Sequence, residues 1–130
     1  MPKSQVREVL SRREREIMDV VYRRGEATVA EVIAGMAEPP SYSAVRALMN
    51  ILEEKGHLRH KKAGARYVYV PTRPRQRAGK EALRRLSDTF FGGSVSDTVA
   101  ALLDVSREEL NPEEMDRLAH LIEEARKEGR

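Results

Sequence analysis

Residues 41–70 read SYSAVRALMNILEEKGHLRHKKAGARYVYV, and the fold turns on how this stretch is read. On a helix advancing about 100° per residue, Val45, Leu48, Met49 and Leu52 recur at i, i+3, i+4, i+7 and share one side. Ser43, Arg46, Ala47 and Asn50 recur at the same spacing on the side roughly opposite. The first stripe is a core face. The second is unlike an ordinary solvated face, because no acid stands between Glu38 and Glu53.

Two readings of the second stripe are open on its own residues: a surface of short polar side chains, or a face that enters a groove lined by phosphates. Arg can contact guanine in bidentate fashion, Asn can do so with adenine, and the Ala methyl can pack on the thymine methyl. Ser41 and Tyr42 at the helix entrance, with Ser43 and Ala44, suit phosphate oxygens and close approach. The residues beyond the helix favour the second reading. Lys55-Gly56 stops it, since Gly readily adopts the left-handed conformation of a C-terminal cap. Leu58 to Lys61 and Arg66 to Val70 then read as two short strands joined across Lys62-Ala63-Gly64-Ala65. Arg59, His60, Lys61, Lys62 and Arg66 decorate this hairpin without one acid, as expected of a loop lying along a phosphate backbone.

Working upstream, Ser11-Arg12-Arg13-Glu14 is a capping box, followed by an apolar stripe of Ile17, Val20 and Val21 and a stop at Arg24-Gly25. Thr28-Val29-Ala30-Glu31 repeats the box, with Val29, Val32, Ile33 and Met36 as its buried side and Pro39-Pro40 as its end. Helix, helix, turn, recognition helix and hairpin make a winged helix-turn-helix. The expected fold is therefore mainly α with a small β-hairpin wing: a winged-helix domain over residues 1–72, then a linker and helical dimerisation domain over 73–130.

Charge divides the chain in the same way. Met1 to Lys80 carries a net charge of +8 and Glu81 to Arg130 a net charge of −5, which together give the +3 of the whole chain. A basic lobe can rest on a polyanion while the acidic lobe is held off it. The second lobe, at about 50 residues, is small for an independent core, and the chain has no Cys to staple it. Leu83, Leu86 and Phe90 lie on one side of a helix running to the Gly92-Gly93 stop. Ser94 to Asp97 opens a second helix bearing Val99, Leu102 and Leu103. Asn111, Pro112 and Glu114 announce a third, along which Met115, Leu118, Ile122 and Ala125 form a packing seam. These faces serve both an intrachain contact and a symmetric partner.

Between the lobes, residues 71–77 (PTRPRQR) read as a basic, proline-stiffened hinge, and Arg73, Arg75 and Arg77 either reach phosphates or are simply solvated. Catalytic and metal chemistry find little footing. His57, His60 and His120 lack partners at metal-ligand spacing, and there is no phosphate-binding glycine loop or nucleophile elbow. No catalytic residue, metal site or cofactor is expected. No apolar run is long enough to span a membrane, and Met1-Pro2-Lys3-Ser4 lacks a signal-peptide core, so the expected location is the cytoplasm, on the nucleoid.

Leu10-Ser11 with Glu14, Ile17-Met18 and Tyr22, then residues 42–46 (YSAVR) with Leu48 and Leu52, then Lys55-Gly56, residues 66–69 (RYVY) and 90–94 (FFGGS), together resemble the penicillinase-repressor family along nearly the whole chain. The resemblance implies a bacterial repressor that binds inverted-repeat operators as a homodimer, with antibiotic-resistance or stress genes as candidate targets. It implies a membrane sensor peptidase or another protease as the partner that releases the repressor, by a cut around Ala100–Leu103. The pattern departs from the family at Ala44 and Ala47, where Thr is frequent, and at Ile51, where Arg is frequent, so operator sequence does not carry over. Absence of Cys makes the copper-responsive branch a poor fit. On this reading Ser41, Tyr42, Ser43, Ala44, Arg46, Ala47, Asn50, Arg59, Lys61, Lys62 and Arg66 contact palindromic double-stranded DNA, with no membrane insertion. The alternative is a winged helix whose polar stripe meets a protein partner.

Overall fold

Ser11 and Glu14 start the first helix by satisfying each other's backbone. The Ser11 hydroxyl accepts from Glu14 N–H at 3.1 Å, and Ser11 N–H donates to Glu14 Oε1 at 2.8 Å. The helix, α1 (Arg12–Arg24), ends at Gly25, whose φ of 93° favours a residue without a Cβ. The computed structural model describes residues 9–129, so the reading of Met1-Pro2-Lys3-Ser4 lies outside the described residues. Thr28 and Glu31 repeat the capping box for α2 (Val29–Gly35). That helix stops four residues before Pro39, because Met36 takes an extended conformation and turns its side chain into the core. Arg13 Nη1 then donates to the Glu38 carbonyl at 2.9 Å, tying down the turn. Ser41 caps α3 (Tyr42–Glu54) by accepting from Ala44 N–H.

The hairpin is longer and its turn tighter than the sequence suggested. β1 (Leu58–Ala63) and β2 (Arg66–Pro71) pair antiparallel from Leu58↔Pro71 to Ala63↔Arg66, leaving only Gly64-Ala65 as the loop. Gly64 has φ of 70°, the sign needed at the first loop position of a II′ turn, whose twist matches that of the strands. At its other end the hairpin is fixed to the helices by a bridge between Ala27 and Tyr69, with N–H to O distances of 3.0 and 2.8 Å.

Val45, Met49 and Leu52 of α3 are inaccessible, packed with Ile17 and Val21 of α1, Val32 of α2, Leu58 of β1 and Tyr69 of β2. Each such aliphatic side chain contributes about 1.5–3 kcal/mol relative to exposure. Glu14 is the carboxylate at the edge of this core, and Lys55 Nζ lies 3.0 and 3.1 Å from its two oxygens. Burial raises the Glu14 pKa, but the Ser11 N–H and the Lys55 ammonium more than offset it, holding the group below the usual glutamate value.

The chain divides into two units, one up to Lys80 and one from Glu81, with the cut inside α4 (Arg75–Phe91). The stretch read as a hinge is partly helical, since Pro74 contributes its carbonyl to Ala78 N–H and Arg75 to Arg77 form the first turn. In the second unit Gly92 and Gly93, both at positive φ, separate α4 from α5 (Val95–Val105), which Ser94 caps. The Ser87 and Thr98 hydroxyls lie 2.9 Å apart between these two helices. A single 3-10 turn over Arg107–Glu109 leads to α6 (Pro112–Glu128), capped by Asn111 at 2.7 Å from Glu114 N–H. Among the described residues of this unit none is buried.

Candidate nucleic-acid interface

With Val45, Met49 and Leu52 packed inward, the helical period leaves Ser43, Arg46, Ala47 and Asn50 exposed on the other side of α3. Tyr42, at the helix entrance, is exposed too, and Ala44 is half-buried. Ser41 is exposed, but its hydroxyl is committed to capping Ala44 N–H, with Ser43 Oγ 3.4 Å away. Arg46 and Tyr42 line a cleft of about 520 Å³ whose far wall is the wing, represented by Lys62, Arg66, Tyr67 and Tyr69. Its floor is the start of α2, at Thr28, Val29 and Ala30. Three cations thus converge on one groove, and the Glu31 carboxyl beside it is held below its usual value by the Thr28 N–H first, then by the Arg24 guanidinium, with Arg66 adding the smallest share.

Strand alternation sorts the remaining wing residues. Leu58, His60 and Lys62 share a face with their partners Pro71, Tyr69 and Tyr67, and that face looks toward α3. Arg59 and Lys61 belong to the other face, opposite Val70 and Val68. They line a separate cleft with Tyr22, Arg73 and Arg75, and Lys61 pairs with Glu26 at 3.2 Å. The structure therefore brings Lys62 to the α3 groove and sends Arg59 and Lys61 away from it, while Arg66, which shares their strand parity, lines the groove from its place beside the turn. Counting basic residues along the hairpin hides this, because the pleat puts neighbours on opposite faces.

Two residues of the groove, Tyr67 and Tyr69, were not among the expected contact residues. Tyr69, only 2% exposed, donates its hydroxyl to Asn50 Oδ1 at 3.1 Å. Burial is the main reason its pKa is raised, so the group stays a donor. His60 places Nδ1 2.8 and 2.9 Å from the Glu53 carboxylate oxygens and tilts over Tyr67 with ring centres 4.6 Å apart. The i, i+2 spacing of Tyr67 and Tyr69 was the available signal that both rings face α3.

The model of the penicillinase repressor family matches residues 10–124, which takes in the helices, the wing and most of the C-terminal lobe. The chain belongs to the penicillinase repressor family. Members of this family are transcriptional regulators and not enzymes. The penicillinase repressor of Bacillus licheniformis is 25% identical over 117 residues, 88% of this chain and 90% of that protein. An uncharacterised 16.5 kDa protein from Latilactobacillus sakei is 29% identical over 91 residues, covering 68% of this chain and 62% of its own length. Among solved structures, Bordetella bronchiseptica BpsR, described for regulation of its DNA binding by 6-hydroxynicotinic acid, aligns with a TM-score of 0.49 at 15% identity, over 95% of this chain and 78% of its own. As a family member the chain is a DNA-binding repressor with a winged helix. Among the described residues no helix is long and apolar enough to cross a membrane.

Proposed function

We propose that this repressor works in the cytoplasm as a homodimer, each subunit laying α3 in the major groove of one half of an inverted-repeat operator. One observation carries the reading: Arg46 and Asn50 stand exposed on the back of a helix whose front is inaccessible, and Arg46 shares its groove with Lys62 and Arg66. Arg46 and Asn50 read base edges, Ser43 and Ala47 allow close approach, and Tyr42, Lys62 and Arg66 grip phosphates. Arg59 and Lys61, on the other face of the wing, are not part of this contact. Two-fold symmetry sets half-sites about one helical turn apart, or a multiple of it.

The dimer is supported by the second unit, where Leu83, Leu86, Phe90, Val99, Leu102, Met115 and Ile122 are all exposed in the single chain and Leu103 and Leu118 are half-buried. Release by a sensor peptidase or another protease around Ala100–Leu103 fits the family. That segment lies inside α5, so it must unwind before it can be cut.

The test is an anisotropy titration against random and selected duplexes at two salt concentrations. Tight binding to a palindrome, with a steep loss of affinity as salt rises, is the expected result. Absent or salt-insensitive binding would instead favour a protein partner for the polar stripe.

A further inference from the structure

We propose that Tyr69 is a positioning residue for base recognition: its buried hydroxyl fixes the Asn50 amide so that the NH₂ group faces the groove as a donor. The inference rests on the reading of α3 as the base-reading helix and goes beyond it by assigning which atom Asn50 offers.

A free Asn side chain on a helix surface rotates about its terminal torsion between two orientations that swap donor and acceptor. Here the two orientations are not equivalent. The Tyr69 hydroxyl donates to Oδ1 at 3.1 Å; with the amide reversed the phenol oxygen could accept from the NH₂ group, but the O–H proton would lose the acceptor it has here, which disfavours the swap. The tyrosine itself has little freedom to follow. Its ring is inaccessible, and its backbone is hydrogen-bonded on both sides to Ala27 as well as paired with His60 across the hairpin. The wing root thus reaches through the core edge to set one side chain on the recognition helix.

The consequence is a base preference. One Oδ1 lone pair is occupied by Tyr69, so Asn50 presents its two Nδ2 hydrogens and the remaining Oδ1 lone pair in a fixed arrangement. In the major groove the acceptors open to such a donor are purine N7, guanine O6 and thymine O4, whereas cytosine offers only its amino donor. Asn50 therefore rejects cytosine at its position. Adenine keeps the bidentate mode, because Nδ2 donates to N7 while the second lone pair of Oδ1 accepts from N6.

The experiment compares the intact dimer with Tyr69→Phe, Asn50→Ala and the double variant. Each is titrated against a selected operator and a set of duplexes carrying every base at each half-site position. Tyr69→Phe keeps the ring, and its thermal midpoint checks that the fold is kept. The expected result is a loss of roughly tenfold in discrimination against cytosine at one position. That position is the one Asn50→Ala affects, random-duplex affinity is unchanged, and the double variant is no worse than Asn50→Ala. If Asn50→Ala flattens that position and Tyr69→Phe leaves it sharp, positioning by Tyr69 is overturned while the base-reading helix stands. If Asn50→Ala changes no position, Asn50 reads no base and both assignments fall.

Discussion

Arg46 and Lys62 share a groove yet should fail in different ways when removed. A side chain that reads a base edge contributes about 1–3 kcal/mol to choosing that base, so Arg46→Ala should flatten preference at one position and leave random-duplex binding nearly intact. Lys62→Ala should weaken all duplexes alike and reduce the slope of log affinity against log salt by about one. Equal losses on operator and random DNA for both variants would remove the distinction. Glu14 supplies a second test, this time of stability. Its folded pKa lies below the usual glutamate value, so the unfolded chain takes up the proton first on acidification. The stabilisation it provides is complete at neutral pH, begins to fade as pH drops into the ordinary carboxylate range near about 4.3, and is gone below the folded value. Glu14→Gln should therefore lower unfolding free energy by about 2 kcal/mol at pH 7 and by much less at low pH, as denaturant melts at several pH values would show. The sequence revealed Glu14 only as a capping residue. Its partner Lys55 lies 41 positions away, and a side-chain pair between the start of one helix and the end of another leaves no local pattern. Tyr69 was hidden for the same reason: its place in the strand was legible, but the hydrogen bond to Asn50 depends on how wing and helix dock.

At the scale of elements, legibility followed the strength of the local chemistry. Starts were mostly clear, because Ser11, Thr28, Ser94 and Asn111 each place a side-chain acceptor on a nearby backbone N–H, a rule that acts within four residues; Ser41 does the same for α3, although the sequence was read there only for a phosphate contact. Ends were less clear. The proline pair at 39 and 40 could stop α2, but Met36 leaves the helix earlier to bury its side chain, and burial is a tertiary effect. Arg75 to Arg77 resembled a linker until Pro74 supplied the first helical carbonyl. The last residue of α2 shows how tightly these elements meet. A Cβ built on Gly35 would stand 2.9 Å from Val20 Cγ1 and 3.2 Å from Cγ2, and Val20 is a stiff, buried side chain of α1. Gly35→Ala should gain less than about 1 kcal/mol of helix propensity, since the site is terminal, and lose about 1–3 kcal/mol to overpacking. A net loss in thermal stability is expected. Adding Val20→Ala should give a double variant less destabilised than the two single losses combined, because the second change empties the space that the first one needs.

For the molecule as a whole, the two units differ in what they can do alone. The winged-helix unit has a closed core, while the second unit leaves Phe90 71%, Leu102 59% and Ile122 60% exposed and has no buried residue among those described. Apolar surface of that extent on three short amphipathic helices is what a symmetric partner would cover. The charge division works in the same direction, since the acidic lobe has no reason to approach the polyanion and is left free to pair. Folding of the second unit should then be linked to association. Its helical signal should melt at a temperature that rises with protein concentration, because a subunit partner stabilises the folded form by mass action. Leu102→Glu should abolish that dependence and shift sedimentation to the monomer. The winged helix should stay folded, since its core draws on no residue beyond Tyr69. Binding to a palindrome should fall toward that of a single half-site, whereas binding to an isolated half-site should barely change, because the variant removes only the link between two recognition helices. A melting temperature independent of concentration in the unaltered protein, with tight palindrome binding retained by Leu102→Glu, would mean that these helices cover their apolar faces without a second copy.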